Sequence, residues 1–408
     1  MSERRPWFIL PVIVLSQFAS TSLWFAANAI LGDLRQAWNL DASALGYMTS
    51  AVQLGFIFGT LLFALLTLAD RVSPRLLFLV CALLGSLCNL MLIIQARDLV
   101  SLLGWRFLTG FFLAGIYPVG MKIAAGWFRR DLGRAIGWLV GALVLGTALP
   151  HLLKAVGGFA QWTTVIAGIS IISAAGGLAI LLVPEAPPAA PTRSAGANPP
   201  AARAHSRGPA LIRIFRERPF RAAALGYFGH MWELYTFWAF LPMVFAASAK
   251  NLSPTTVSAV SFSVIAAGFA GCVLGGVLSF RLGSARVACI QLALSGLCCL
   301  ASPLFFDAPP GIYIAFLILW GVFVVGDSPQ FSTLTARTAP PELMGTALTI
   351  TVCLGFALTV VGIQTADYLM AGLGEKYIFL LLVPGPVIGL LAMRPLLTSR
   401  DSRPHGMP

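Results

Sequence analysis

Residues 106–122 read RFLTGFFLAGIYPVGMK, and residues 317–333 read LILWGVFVVGDSPQFST. The two stretches share three residues at one spacing. Gly110, Gly115 and Pro118 of the first fall on Gly321, Gly326 and Pro329 of the second, each 211 positions later. The echo extends outward at nearly that shift: Leu23 with Leu234, Arg71 with Arg281, Cys88 with Cys298, Gly133 with Gly345. Glycine makes up 40 of 408 residues, so no single match decides anything; the series does. An apolar chain that repeats itself is how two similar halves come to rock about a site held between them.

The chain is 58% hydrophobic and 10% charged, where a soluble domain carries about 25% charged residues. Twelve apolar stretches, at 8–31, 44–69, 76–96, 100–127, 134–155, 160–183, 222–247, 256–280, 287–306, 311–335, 344–371 and 377–398, are each long enough to cross a bilayer. Backbone surrounded by lipid must satisfy its own hydrogen bonds, so these spans are expected to be helices. The expected fold is all-α and polytopic, with two pseudo-symmetric six-helix bundles at residues 1–183 and 219–408. Between them, residues 184–218 hold seven prolines and six arginines among Ala, Ser and Gly. That composition reads as a flexible tether, with a short amphipathic helix from Leu211 to Phe215.

The net charge of +12 is not a nucleic-acid signal, because its distribution follows the spans. Of 27 Lys and Arg, eighteen lie at the two chain ends and in the even-numbered loops, and Arg134 and Arg394 lie in the span ends that border them. Five lie in the odd-numbered loops, Arg35, Arg97, Lys154, Lys250 and Lys376, and Arg106 and Lys122 lie inside a span. The positive excess marks the cytoplasmic side, so both termini are expected there. The expected location is a bacterial inner membrane and the expected state a monomer. The seven Cys lie inside spans and read as small apolar packers. None has metal-ligand spacing with His, so neither metal nor cofactor is expected.

Residues 66–75, LTLADRVSPR, and 276–286, GVLSFRLGSAR, carry a more specific signal. Together with the twelve spans and the basic central loop they resemble the major facilitator superfamily. That family's loop between helices 2 and 3 reads roughly Gly-x-x-x-Asp-Arg-x-Gly-Arg. Asp70, Arg71 and Arg75 match it in the first copy; Gly276, Arg281, Gly283 and Arg286 match in the second, where Phe280 replaces the acid. Arg106 followed by Gly110 resembles the family's Arg-x-x-x-Gly signature in helix 4. The resemblance implies that Asp70, Arg71, Arg75, Arg281 and Arg286 form a cytoplasmic gate, with Asp70 meeting a helix N-terminus of the other half and Arg71 and Arg75 pairing across the seam. A plainer reading of the same residues is that they only set orientation.

The resemblance also implies that helices 1, 4, 7 and 10 line a central cavity. Ionisable groups inside spans are site candidates in their own right, and they fall on those helices. In GYFGHMWELYTFW, residues 226–238, Tyr227, His230 and Glu233 recur at three-residue steps and are expected on one face. Glu233 lies about 16 Å along its helix, near mid-membrane. A carboxyl at that depth is a proton carrier or a cargo contact, with His230 as relay; the alternative is a structural His–Glu bond. Asp327 and Gln330 flank Pro329, which bends its helix, and Asp327 can serve coupling or pair with Arg106 or His230. Arg106 is placed to hold an anionic group, with Tyr117 on nearly the same face. Lys122, about 24 Å further along, is expected to snorkel to the interface. Gln17, Thr21, Trp24 and Asn28 form a polar stripe on helix 1, expected either to line the cavity or to glue helices together. Trp24, Tyr235 and Trp238 are aromatic walls or interface anchors.

The leading expectation is a secondary active transporter that alternates between inward-open and outward-open shapes. Protons are expected to couple through Glu233, His230 and Asp327, and Arg106 leans toward symport of a small organic anion. The partners implied are a small solute, protons and the bilayer, with no nucleic acid. Efflux of an amphipathic toxic compound is the alternative, although Gly137, Gly141, Gly146 and Pro150 do not follow the helix 5 glycine run of drug/proton antiporters. A carrier-like sensor or scaffold would need a larger signalling segment. No zinc-type His pair, nucleophile elbow or phosphate loop suggests an enzyme.

Overall fold

The structure is a computed structural model that describes residues 6–41, 43–128, 131–157, 161–186, 214–249, 252–340 and 343–398. Among the described residues there is no strand. Helix α1 is Ile9–Thr21, continued after a turn at 22–25 by Ala26–Ala29 and Leu31–Trp38. There follow α2 (Ala44–Leu65), α3 (Pro74–Ile94), α4 (Leu99–Trp127), α5 (Leu132–Val156) and α6 (Trp162–Leu182). The second half repeats the series as α7 (Arg218–Ser248), α8 (Pro254–Leu282), α9 (Ser284–Phe306), α10 (Pro310–Thr338), α11 (Met344–Leu373) and α12 (Ile378–Leu397). Ten of these are long and apolar enough to cross a bilayer by composition alone. The two that are not, α1 and α7, are equivalent helices of the two halves. The first is short before it breaks, and the second carries His230 and Glu233 in mid-course.

The repeat legible in the sequence is a packing repeat. A Cβ on Gly110 would lie 2.0 Å from the Val52 carbonyl oxygen, and one on Gly321 would lie 2.0 Å from that of Val264. Gly59 meets the Phe111 carbonyl in the same way, and Gly271 meets that of Val322. Thus α2 lies backbone-to-backbone on α4, and α8 lies likewise on α10. Lipid supplies no hydrophobic drive between helices, so this close approach is what holds them. Both α4 and α10 then break, at 114–116 and at Asp327, and each restarts with proline in its first turn, Pro118 or Pro329. Proline is favoured there because the missing N–H would have no helical partner anyway.

The linker runs between α6 and α7, and the end of the bundle that carries it is called the linker end below. Most of the linker, with Leu211, lies outside the described residues. Of the expected Leu211–Phe215 helix, Ile214 is buried against Phe220 and Ala347, docked on the starts of α7 and α11. The opposite end is tied by Lys154 to Asp33 at 2.9 Å and by Lys376 to Asp307. There Asp98 also caps α4: it accepts from the Ser101 N–H at 2.8 Å and the Ser101 hydroxyl at 2.7 Å. Those two bonds hold the Asp98 carboxylate below its usual range.

The halves meet along two seams. On one, α2 faces α11: Gln364 Nε2 donates to Ser50 Oγ at 2.8 Å, Gly46 abuts the Asp367 carboxyl, and Phe56 packs on Phe356 at 4.5 Å. On the other, α5 faces α8, where Phe269 fills the space left by Gly141 and packs on Trp138 at 5.6 Å.

Candidate functional site

At the centre, Trp24 and Tyr235 touch across the two halves, ring centroids 5.8 Å apart. They are separated by the same 211 positions as the repeated glycines. Two equivalent residues can touch only where the pseudo-two-fold axis passes between them, so this contact marks the axis. Around it, Trp24 stacks on Phe356 at 5.4 Å and leans on Phe56 at 4.9 Å, while Phe25 meets Tyr235 and Trp238. Trp24 and Trp238 are fully buried. Polar atoms border the rings. Trp24 Nε1 donates to Gln53 Oε1 at 3.1 Å, and Asn28 Nδ2 donates to Thr49 Oγ1 at 2.7 Å. The remaining groups, Gln53 Nε2, Asn28 Oδ1 and Trp238 Nε1, are buried without a partner. Unpaired polar groups in a core carry a penalty of about 1–3 kcal/mol each, so these three atoms are places where a polar ligand group would find a partner.

The turn at 22–25 is what brings Trp24 to the axis, and Arg106 holds that turn. Its guanidinium donates to the Leu23 carbonyl at 3.0 Å and to the Trp24 carbonyl, and the side chain is fully buried. These carbonyls lose their helical partners at the break, and a charged donor satisfies them well. Arg106 therefore stands neither beside Asp327 nor open to an anionic cargo, as the sequence suggested. The break also dissolves the expected polar stripe of α1, because residues on either side of it no longer share a register. Gln17 packs on Gly120 of α4, Thr21 donates to the Gln17 carbonyl at 2.8 Å beside Gly146 of α5, Trp24 lies on the axis, and Asn28 turns to α2.

A second polar group lies inside the C-terminal half. His230 Nδ1 is 2.8 Å from Asp327 Oδ1, an ion-pair distance without the alignment of a hydrogen bond. Glu233 Oε2 accepts from Cys299 Sγ at 3.5 Å, and Glu233 Oε1 has no partner. All three ionisable residues are 0% exposed. Ser295, which accepts from Trp320 Nε1 at 3.1 Å, and Gln291, which donates to the Gly271 carbonyl at 3.2 Å, continue the polar strip along α9. The sequence analysis set His230, Glu233 and Asp327 around an open cavity; the structure buries all three. Geometry explains the difference. Steps of three residues turn by about 300°, so the face drifts by about 60° each time. Tyr227 accordingly packs on Gly355 of α11, His230 reaches α10, and Glu233 points into the bundle toward α9. Gln330, one turn past Asp327, is buried at 3% exposure, and Tyr117 is half-buried.

The expected gate residues keep to their own half. Asp70 Oδ1 accepts from Lys122 Nζ at 2.5 Å, and Lys122 also donates to the Ala69 carbonyl. Arg75 donates to the Val183 carbonyl at 2.9 Å and to Glu185 at 3.3 Å. Arg71, Arg281 and Arg286 are exposed. The expected reach of Asp70 to a helix N-terminus of the other half, and the expected cross-seam pairing of Arg75, are thus replaced by contacts to α4 and to the end of α6, which the loop reaches without crossing the seam.

Residues 13–363 match the family model of the Major Facilitator Superfamily. The chain belongs to that superfamily, a family of membrane transporters. A curated relative, the uncharacterized transporter C757.13 of Schizosaccharomyces pombe, is 28% identical over 173 residues, which are 41% of this chain and 32% of that protein. Solved structures with the same fold include the proton:xylose symporter XylE, 13% identical with a TM-score of 0.72 over 97% of this chain and 96% of that one. The nucleoside transporter NupG is 13% identical with a TM-score of 0.71 over 96% and 100%. A bacterial homolog of the human lysosomal transporter Spinster, inward-facing and unoccupied, is 14% identical with a TM-score of 0.70 over 99% of both. At these identities the likeness shows the fold.

Proposed function

We propose that this transporter is a proton-coupled secondary carrier in which cargo and proton use different places. The cargo meets the aromatic junction on the axis, and the proton sits in the His230–Asp327–Glu233 cluster. The halves at 1–183 and 219–408 rock about the Trp24–Tyr235 contact, tethered by the linker. The observation that carries this reading is the enclosure of two carboxyls and one imidazole at 0% exposure. Two carboxyls closed off from water with one imidazole need at least one proton held among the three groups to limit the buried charge. An unbalanced charge there costs several kcal/mol. Gaining or losing that proton therefore changes which packing of α7, α9 and α10 is favoured, and α7 carries Tyr235 of the junction.

The cargo that suits the junction is small and uncharged, with a flat face for stacking and hydroxyl or amide groups for Gln53, Asn28 and Trp238. Arg106, the residue that suggested an anion, is bound to α1. The sugar and nucleoside transported by two of the structural neighbours are of this kind, and their likeness adds support to the class. In proteoliposomes, counterflow of sugars and nucleosides should reveal a cargo whose flux responds to an imposed proton gradient, and the sign of the response gives symport or antiport. Flux indifferent to the gradient in both directions refutes the coupling.

A further inference from the structure

At the linker end the α5–α8 seam opens into a cleft of about 370 Å³, within the size range of small-molecule sites. Its lining is Gly137, Trp138, Cys272, Gly276, Val277 and Phe280, with Arg134 as its one charged member. The cleft faces outward. Val277 and Phe280 are 60% and 66% exposed, and they continue an exposed apolar stripe with Leu274 and Leu278. In a chain read as membrane-spanning, that stripe is in contact with acyl chains. Phe280 is also the residue that replaces the acid of the second loop motif, so a position that carries a negative charge in the motif is an apolar wall here. Gly276 has open space where a Cβ would be, and the nearest atom to a Cβ on Gly137 is 3.8 Å away. The walls therefore leave the room between them unfilled. Arg134 is exposed in the first turn of α5, the end of a spanning helix, where a basic side chain is expected to meet headgroups.

We propose that this cleft seats an anionic phospholipid, with one acyl chain between α5 and α8 and its phosphate on Arg134. Charge argues for the anion: Arg134 at the rim and Arg281 beside Phe280 are both exposed on this side. The apolar lining argues for a lipid over a free phosphate, which would find one cation in the lining and no polar wall. Because α5 belongs to one half and α8 to the other, a chain wedged there touches both moving bodies, so its presence favours the arrangement of the halves in which the cleft is open. The site is distinct from the junction and from the buried cluster.

Native mass spectrometry of the purified full chain, after equilibration with equal phosphatidylglycerol and phosphatidylcholine, reads the retained lipid. The expected result is preferential retention of one phosphatidylglycerol. Arg134→Gln should reduce the preference about fivefold, the effect of one basic residue near a membrane surface. Gly276→Leu, whose Cβ would meet nothing within 4 Å and whose side chain adds bulk to the cleft wall, should reduce retention of either lipid. Inorganic phosphate at millimolar concentration should leave retention unchanged. Equal retention of the two lipids by the wild type, unchanged retention in Gly276→Leu, or displacement by inorganic phosphate overturns the proposal. Thermal unfolding of both variants in lipid-free detergent should match wild type, which separates loss of the site from loss of the fold.

Discussion

Alanine at Gly110 and alanine at Gly104 are the same chemical change on the same helix, six residues apart, yet the structure assigns them opposite outcomes. At Gly104 the new methyl meets nothing within 4 Å. At Gly110 it lies 2.0 Å from the Val52 oxygen, 2.8 Å from its carbon and 3.0 Å from its Cα. A carbon and a carbonyl oxygen rest at about 3.3 Å or more, so α2 and α4 must part by over ~1 Å. A gap of that size forfeits a quarter to a half of the dispersion energy of the contacts it opens. Overpacking of this kind costs about 1–3 kcal/mol. Replacing glycine by alanine in a helix returns about 0.5–1 kcal/mol, but that gain is common to both sites and cancels between them. Gly104→Ala should therefore be slightly stabilised, and Gly110→Ala should fall below it by about 1–3 kcal/mol. Gly321→Ala should repeat the Gly110 result, because Val264 stands where Val52 does. Reversible unfolding in mixed micelles, followed by tryptophan fluorescence, measures the gap. Equal stability of the Gly104 and Gly110 variants would refute the close backbone contact and the packing repeat built on it.

Arg106→Gln should free the Leu23 and Trp24 carbonyls and loosen the α1 turn, so cargo affinity should fall tenfold or more with Arg106→Lys restoring part of it; equal affinity in all three proteins contradicts the positioning of Trp24. Joining Ser50→Cys to Gln364→Cys by a short crosslinker should stop net transport while leaving cargo binding measurable, since α2 and α11 are held together there; unimpaired transport means that seam does not open. Asp98 supplies a pH test with a definite sign. Its carboxylate is held below its usual range by Ser101, so the cap stabilises fully above the unfolded value of about 4 and fades as pH falls through the lowered folded value. The thermal midpoints of wild type and Asp98→Asn should differ at pH 7 and draw together as pH falls below about 4; a constant difference contradicts the capping geometry.

The glycines declared the architecture because contact between helices in lipid selects small residues, and a duplicated contact leaves a duplicated spacing. The intramembrane acids were legible for a related reason: nothing but function or pairing retains Glu233 or Asp327 in an apolar span. Their surroundings were not legible. The break at 22–25 falls in SLWFA, with no proline or glycine to announce it, so the α1 stripe looked continuous and Arg106 looked free. The α9 strip of Gln291, Ser295 and Cys299 runs at four-residue steps, a signal present in the sequence but on a helix not expected to face the site. The loop motif told which residues are charged at the linker end, while Lys122 and Glu185, which bind them, stand outside it.

The separation of cargo site from proton site is tested most directly by Asp327→Asn and Glu233→Gln in proteoliposomes, with exchange and gradient-driven accumulation measured on the same preparation. If the proton is held in the enclosed cluster and the cargo at the axis, both variants keep cargo exchange within a few fold of wild type and lose accumulation driven by the proton gradient. Loss of exchange together with accumulation would place the cargo on those carboxyls and contradict the account.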